Sequence, residues 1–163
     1  MIETNSSSAN RAEMDAAIGF TIMRWQDATQ SYDEAVGVRA GLGTAERLCL
    51  GLLQTGPQSA GAIAIATGLT PAAVTSLIDR LEARGMLTRT RSLEDRRKVV
   101  VEQTETTRKF AERYYGPIAR EGQKLLAGFS DAELATVLRF VTAALQLQNE
   151  QLARLKAEPE DAG

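Results

Sequence analysis

The chain has 163 residues, 44% of them hydrophobic and 25% charged, which is typical of a globular domain with a substantial core. The net charge of −2 argues against a protein that coats nucleic acid with its whole surface. One cysteine and no histidine exclude the usual zinc ligand sets and histidine-based catalysis, so we expect no catalytic residue, metal or cofactor. No apolar run is long enough to predict a transmembrane helix, and the N-terminal residues do not resemble a signal peptide. The single cysteine fits a reducing cytoplasm.

A long amphipathic helix is predicted over residues 9–40. Apolar and aromatic residues recur on it in steps of four and three, which is the spacing of a heptad-like seam along one helix face. A helix with such a face packs against another surface instead of lying exposed in water. The seam consists of Ile18, Ile22, Trp25, Thr29, Tyr32 and Val36.

Two shorter helices follow the glycine-rich break at residues 41–43. Thr44 is the expected N-cap of the first, which runs to about residue 54. Ser59 is the expected N-cap of the second, over residues 60–67, and Gly68 begins the turn after it.

The next helix has the most informative surface of the chain. Thr70 is its expected N-cap, Pro71 occupies the first helical position, and Gly85 ends it. Short side chains at its start allow the backbone to approach base edges, and the hydroxyls of Thr75 and Ser76 can hydrogen-bond to bases. Arginines further along, including Arg84, are suited to phosphates. The candidate DNA-binding residues of this recognition helix are Thr70, Pro71, Ala72, Ala73, Thr75, Ser76 and Arg80.

A β-hairpin with a basic tip is predicted next, with strands over residues 86–91 and 98–104. An arginine at such a tip can enter a narrow minor groove. Asp95 is expected to hold the loop in shape by accepting hydrogen bonds from Arg97 or a backbone amide. The candidate DNA-binding residues of this wing are Arg91, Arg96, Arg97 and Lys98.

The charge distribution supports a groove-binding surface. Residues 71–98 contain seven cations and four carboxylates, a net +3, whereas the rest of the chain carries −5. A basic patch on an acidic body is typical of a protein that docks on DNA. The alternative is a solvated, arginine-rich hairpin without a partner.

Helices are also predicted after the hairpin. One begins near residue 105 and is interrupted by Gly116-Pro117. The last opens with a capping box, Ser130 and Glu133. Its seam again advances in steps of four and three, through Leu134, Leu138, Val141, Leu145, Gln148, Leu152 and Leu155.

The stretch GLTPAAVTSLIDRLEARGMLTR followed by SLEDRR, residues 68–97, resembles the MarR-type (multiple antibiotic resistance regulator) winged-helix transcription factors. The resemblance extends over about residues 9–156. It implies a mainly α fold with a small β-hairpin wing, a winged helix-turn-helix flanked by N- and C-terminal dimerisation helices. One departure lies at the second wing strand, which ends in Gln103-Thr104 where the family usually has Leu-Thr, so packing at that strand end is in question.

The resemblance implies a homodimer that binds a double-stranded DNA operator, most simply as a repressor of a pseudo-palindromic site. The dimerisation residues would be Ile18, Ile22, Trp25, Leu138, Val141, Leu145 and Leu152. It also implies a small aromatic or phenolic effector between the dimer helices and the winged helix. The pocket residues would be Trp25, Tyr32, Tyr114 and Tyr115, although each could equally be a core or interface residue.

The expected organisation has five parts. They are a disordered tail over residues 1–8, a dimerisation helix over 9–40, a winged helix-turn-helix over 44–104, C-terminal dimerisation helices over 105–156, and a tail over 157–163.

Three other interpretations stay open from sequence. The dimer could be a protein-interaction module without DNA recognition. It could be a redox-sensing regulator that uses Cys49, although a cysteine in the middle of a predicted helix is more often a small buried hydrophobe. An enzyme is the weakest alternative, because no nucleophile–base pair or phosphate loop is visible.

Overall fold

The computed structural model describes residues 4–92, 95 and 98–158. Within these ranges the chain is mostly helical with one two-stranded antiparallel sheet, which confirms the predicted fold class. The elements are α1 (Thr4–Ala40), α2 (Thr44–Leu52), a 3-10 turn (Leu53–Thr55), α3 (Ala60–Thr67), α4 (Pro71–Ala83), β1 (Leu87–Arg91), β2 (Val99–Gln103), α5 (Glu105–Tyr114), α6 (Gly116–Leu126) and α7 (Asp131–Ala157). Two compact units are divided between Ala111 and Glu112.

The first unit has its hydrophobic core where α2, α3, α4 and the hairpin meet. Helix α4 contributes one face to it, because Val74, Leu77, Ile78 and Leu81 recur at helical spacing and all four are buried. The most deeply buried core residues are Cys49, Leu53, Ile63, Val74, Leu77, Leu81 and Leu87. Burial of this face fixes which side of α4 points outward.

Strands β1 and β2 pair in the register Leu87↔Gln103 to Arg91↔Val99. Gln58, just before α3, forms an isolated antiparallel bridge to β2, because its backbone N–H and C=O both bond to Val101 at 2.8 Å. The hairpin is thereby fastened to the start of the helix-turn-helix. This bridge has no signal in the local sequence.

Most predicted helix ends are confirmed. The hydroxyl of Ser59 accepts from the Ala62 amide at 3.1 Å, and that of Thr70 from the Ala73 amide at 3.4 Å. Gly85 adopts a φ of +65°, the left-handed conformation that favours glycine.

Two boundary predictions are wrong. Gly43, not Thr44, is the N-cap of α2, because the Glu46 carboxylate accepts a hydrogen bond from the Gly43 amide at 2.9 Å and satisfies that end without a cap side chain. The predicted tail over residues 1–8 overlaps α1, which begins at Thr4. Its polar residues extend a helix that the following turns already nucleate.

In the second unit, the helical run breaks at Tyr115, next to Gly116-Pro117 as predicted. Helix α7 begins with the predicted capping box: the Glu133 amide donates to Ser130 Oγ at 3.4 Å, and the Ser130 amide donates to Glu133 Oε2 at 2.8 Å.

Among the described residues, no single helix is both long and apolar enough to cross a membrane. Taken together, α3 and α4 meet that test by length and composition alone, as a pair bent by 103°.

Candidate nucleic-acid interface

Helix α4 presents its predicted recognition face to the outside of the winged helix. Ala73 is half-buried against the protein, and the other candidate contacts on this helix are exposed. The exposed set is Thr70, Pro71, Ala72, Thr75, Ser76 and Arg80. The surface is therefore small and polar at the start of the helix and cationic further along.

The hydroxyl groups of Thr75 and Ser76 already donate their protons to backbone carbonyls of α4. Thr75 Oγ1 donates to the Pro71 carbonyl at 3.0 Å, and Ser76 Oγ donates to the Ala72 carbonyl at 3.2 Å. Each oxygen keeps lone pairs free to accept. The base groups that suit these side chains are consequently amino donors, such as cytosine N4 or adenine N6.

The two arginines near the end of α4 differ in what they contact. Arg80 Nε lies 3.5 Å from Glu46 Oε1, and the Arg80 side chain is 59% exposed. Arg84 instead donates to the carbonyls of Ala40 and Gly41 at 2.7 and 2.9 Å. Its guanidinium is therefore engaged at the end of α1, which disfavours the phosphate contact predicted for Arg84 from sequence.

Arg89, counted in the basic patch from sequence, joins β1 to α4. Its guanidinium pairs with Asp79 at 2.5 Å and with Glu82, and its backbone amide donates to Glu82 Oε1 at 3.1 Å. The hydrogen bond to Asp79 and the nearby Glu82 charge raise the pKa of Arg89. Part of the positive charge predicted for DNA is thus used to fix the wing on the recognition helix.

The described part of the wing closes through backbone hydrogen bonds. The Ser92 amide donates to the Lys98 carbonyl and the Lys98 amide to the Asp95 carbonyl, both at 2.9 Å, and the Asp95 amide donates to Ser92 Oγ at 3.4 Å. Arg91 and Lys98 are exposed at this end of the hairpin. The other two candidate wing contacts, Arg96 and Arg97, lie outside the described residues.

The predicted dimerisation seams are largely exposed. Among the predicted dimerisation residues, Ile22 is half-buried and the others are exposed: Ile18, Trp25, Leu138, Val141, Leu145 and Leu152. Two other seam positions are covered, because Val36 is buried and Leu134 is half-buried. The candidate pocket residues fall in both compact units, with Trp25 and Tyr32 in the first and Tyr114 and Tyr115 in the second.

Cys49 is fully buried in the core of the first unit. Burial, and to a smaller extent the nearby Glu46 charge, raises the pKa of its thiol to about 11. A thiol with that pKa is protonated at neutral pH and therefore a poor nucleophile, which disfavours the redox-sensor interpretation. No cluster of potential metal ligands occurs among the described residues.

Sequence reasoning missed the side chains that hold the recognition helix in place. Glu46 joins α2 to α4 through Arg80, Arg84 joins the end of α4 to the end of α1, and Arg89 joins β1 to α4. Of these three, only Glu46 has a local sequence signal: it lies in the first turn of α2, where a carboxylate favours the helix dipole.

Helices α3 and α4 joined by a tight turn, with α4 facing outward beside the β1–β2 hairpin, define the winged helix-turn-helix class. The model of the MarR family matches residues 50–99. The chain is 33% identical over 105 residues to the HTH-type transcriptional regulator YcgE of Bacillus subtilis (strain 168), an uncharacterised protein, covering 64% of this chain and 68% of that one.

Solved structures share this fold. A MarR family transcriptional regulator from Silicibacter pomeroyi DSS has a TM-score of 0.60 at 18% identity, over 85% of this chain and 94% of that one. A mutant of MepR from S. aureus, bound to an oligodeoxyribonucleotide, has a TM-score of 0.51 at 19% identity, over 81% and 97%. The chain belongs to the MarR family, whose members are transcriptional regulators and not enzymes.

Proposed function

We propose that this regulator is a homodimeric repressor, working in the cytoplasm, that binds a pseudo-palindromic DNA operator and is released by a small aromatic or phenolic ligand. The observation that carries the proposal is the surface of α4, whose apolar face is buried while its small and hydroxyl-bearing N-terminal face points outward. A helix of this kind can enter a major groove with its backbone close to the base edges.

The proposed contacts follow from the chemistry of each surface. The start of α4, from Thr70 to Ser76, lies against base edges, and Arg80 lies near a phosphate. The wing residues Arg91, Arg96, Arg97 and Lys98 enter the adjacent minor groove, with Asp95 holding the loop in shape. Ala72 and Ala73 offer methyl groups to thymine methyls.

Dimerisation is supported by the exposed apolar seams of α1 and α7. Seams of this length would be unfavourable in water, and a second copy of the chain offers the same surfaces in return. A two-fold dimer places two recognition helices about 34 Å apart, one turn of B-DNA. The seam residues proposed for the interface are Ile18, Ile22, Trp25, Leu138, Val141, Leu145 and Leu152.

Ligand release requires a dimer with two shapes. A planar ligand held by aromatic residues such as Trp25, Tyr32, Tyr114 and Tyr115 would prefer the shape whose recognition helices do not match the operator spacing. Binding then shifts the population toward the released form.

The proposal is tested by selecting bound sequences from a random duplex pool with the purified protein at low salt. We expect a palindrome with half-sites about one helical turn apart. Failure to enrich any sequence, together with no salt-sensitive binding to random duplex, would identify a protein-interaction module instead.

The wing is tested with Arg96→Ala and Arg97→Ala. Loss of one phosphate or minor-groove contact should weaken operator binding about tenfold and lower the salt dependence of log K by about one. Arg154→Ala removes the same charge from an exposed position on α7 and serves as the matched control. Equal affinities for all three variants would exclude the wing from the interface.

Base reading by α4 is tested with Thr75→Ala. While its proton is donated to the Pro71 carbonyl, the Thr75 oxygen acts as an acceptor, so its loss should relax the preference at one position that carries an amino donor in each half-site. At that position the variant should lose about 1–3 kcal/mol of discrimination between the preferred base and the other bases. Repeating the pool selection with Thr75→Ala measures it, and an unchanged motif would show that Thr75 does not read a base.

A further inference from the structure

We infer that Arg84 is a positioning residue that sets the angle between α1 and the recognition helix, and through it the operator spacing that the dimer accepts. The inference rests on the proposed dimeric, DNA-binding function. It concerns a joint inside one subunit where the last turn of α1 meets α2 and α4.

Arg84 stands at the C-terminal end of α4 and reaches across to α1. Its two terminal nitrogens donate separately to the carbonyls of Ala40 and Gly41, at 2.7 and 2.9 Å. These carbonyls belong to the end of a helix, where backbone acceptors have no partner within the helix and the helix dipole favours a cation. A planar guanidinium that holds two such oxygens constrains direction as well as distance.

Glu46 connects the same guanidinium to α2. Its carboxylate lies 4.0 Å from Arg84 Nη1 and 3.5 Å from Arg80 Nε, and it accepts the Gly43 amide at 2.9 Å. The Glu46 side chain is only 14% exposed, so solvent screens these interactions less than those of a surface pair.

A second guanidinium lies against the same turn of α1. Arg47 donates to the Leu42 carbonyl at 3.0 Å, and a Cβ added to Gly37 would lie 2.1 Å from its Nη1. Glycine at position 37 therefore makes room for this contact. Val36 and Leu42 are buried on either side.

The rest of α1 lacks comparable burial. From residue 10 to residue 35, every residue is exposed except Ile22 and Asp33, which are half-buried. Helix α1 is thus held at its last turn and extends from there as an arm of the proposed dimer domain.

The length of that arm makes the joint angle important. A helix of 37 residues is about 55 Å long, so each degree of rotation at the joint displaces the far end by about 1 Å. One base pair of operator spacing is about 3.4 Å. If α1 could rotate by a few degrees at the joint, the dimer would therefore no longer distinguish operators whose half-site spacings differ by one base pair.

The test compares Arg84→Met with wild type on a series of duplexes. The selected palindrome is rebuilt with zero, one or two base pairs inserted or removed between half-sites, and an isolated half-site is included. We expect Arg84→Met to lose about tenfold in affinity at the wild-type spacing, with its affinity for the isolated half-site unchanged. Its affinity should also vary less with half-site spacing than that of wild type, which gives a flatter spacing profile. Arg84→Lys, which keeps the charge, should recover part of the preference, and Arg154→Met is the matched control.

A spacing profile as sharp as that of wild type would overturn the inference. Equal losses on half-site and full operator would also overturn it, because they would place Arg84 in the docking of α4 itself. If Arg84→Met does not unfold cooperatively, Arg84→Lys replaces it, with a smaller flattening expected. The wild-type profile tests the proposed function independently: absence of any preferred spacing would reject the dimeric regulator, whatever the variants do.

Discussion

Charged side chains around the recognition helix mostly contact the protein itself. Arg84 caps α1, Arg89 pairs with Asp79 and Glu82, and Arg80 lies beside Glu46. The positive patch seen in the sequence is accordingly smaller in the folded chain. Two described cations, Arg91 and Lys98, are exposed at the end of the hairpin.

The buried thiol gives the first prediction at this scale. Because burial raises the pKa of Cys49 to about 11 from an ordinary value of 9.0, native protein at pH 7 should not react with a thiol reagent such as DTNB within an hour. The same protein in urea should react within minutes. Rapid reaction of the native protein would revive the redox-sensor hypothesis.

The same pKa shift has a pH dependence of known sign. Between about pH 9 and 11 the unfolded thiol ionises while the folded thiol stays protonated, so the free energy of unfolding falls as the pH rises through this window. Below pH 9 both states are protonated and the thiol contributes no slope. Comparing Cys49→Ala with wild type across that range isolates the contribution from that of lysines and tyrosines.

Gln103 gives the second prediction. Its Oε1 is buried and has no hydrogen-bond partner within the described part of the chain, at the strand end where the sequence departs from its family. The neighbouring Thr104 is well satisfied, since its hydroxyl donates to the Gly85 carbonyl at 2.6 Å. We expect Gln103→Leu to raise the free energy of unfolding by about 1 kcal/mol, because an unsatisfied polar atom is replaced by an apolar one.

Urea denaturation followed by circular dichroism measures this change. The matched control is Gln54→Leu at an exposed position, which should alter stability by less than about 0.5 kcal/mol. A less stable Gln103→Leu would mean that the amide has a partner that the leucine cannot replace.

Helices begin and end where short local patterns direct them. The caps at Ser59, Thr70 and Ser130 each satisfy an amide three residues away, so the information needed lies within one turn. Helix α2 shows the limit of this reasoning. There a glutamate inside the helix does the capping, and the expected cap residue, Thr44, becomes the first helical residue.

The capping box of α7 gives the prediction for this scale. Ser130→Ala should lower the free energy of unfolding by about 1 kcal/mol at pH 7, because the Glu133 amide loses its acceptor. Thr142→Ala, at an exposed position within α7, should not lower it.

The effect of Ser130→Ala should depend on pH. Hydrogen bonds from the Ser130 hydroxyl and backbone amide lower the pKa of Glu133 below its ordinary value of 4.5. The ionised Glu133 side chain therefore contributes to the free energy of unfolding above pH 4.5, and this contribution is lost as the pH falls below that value. The difference between wild type and Ser130→Ala, measured by urea denaturation between pH 6 and pH 4, should shrink at the acidic end. A constant difference would show that the Glu133 side chain takes no part.

At the scale of the whole molecule, the exposed apolar seams of α1 and α7 are the surfaces of the isolated chain that most need a partner. On α7, Leu145 belongs to the seam and Leu147 lies on the opposite side, yet both are exposed, at 62% and 57%. Exposure alone thus does not identify the interface. The heptad spacing predicts that the face carrying Leu145, and not the face carrying Leu147, forms the dimer interface.

We expect Leu145→Asp to raise the dimer dissociation constant by about 100-fold or more, since it buries a charge in place of a leucine. Leu147→Asp should leave the constant nearly unchanged. Sedimentation equilibrium measures both. If Leu147→Asp dissociates the dimer and Leu145→Asp does not, the interface lies on the other face of α7.

The sequence by itself determined the helices of the winged helix-turn-helix, the two wing strands and the buried face of α4, because caps, turns and apolar spacing act within a few residues. Only the tertiary structure decided the bridge from Gln58 to Val101, the ion pairs of Arg89 and the attachment of Arg84 to a carbonyl 44 residues away. The same arginine types suit a phosphate, a carboxylate or a helix end. Which of these each one meets depends on distances that exist only once α1, α2 and α4 have packed together.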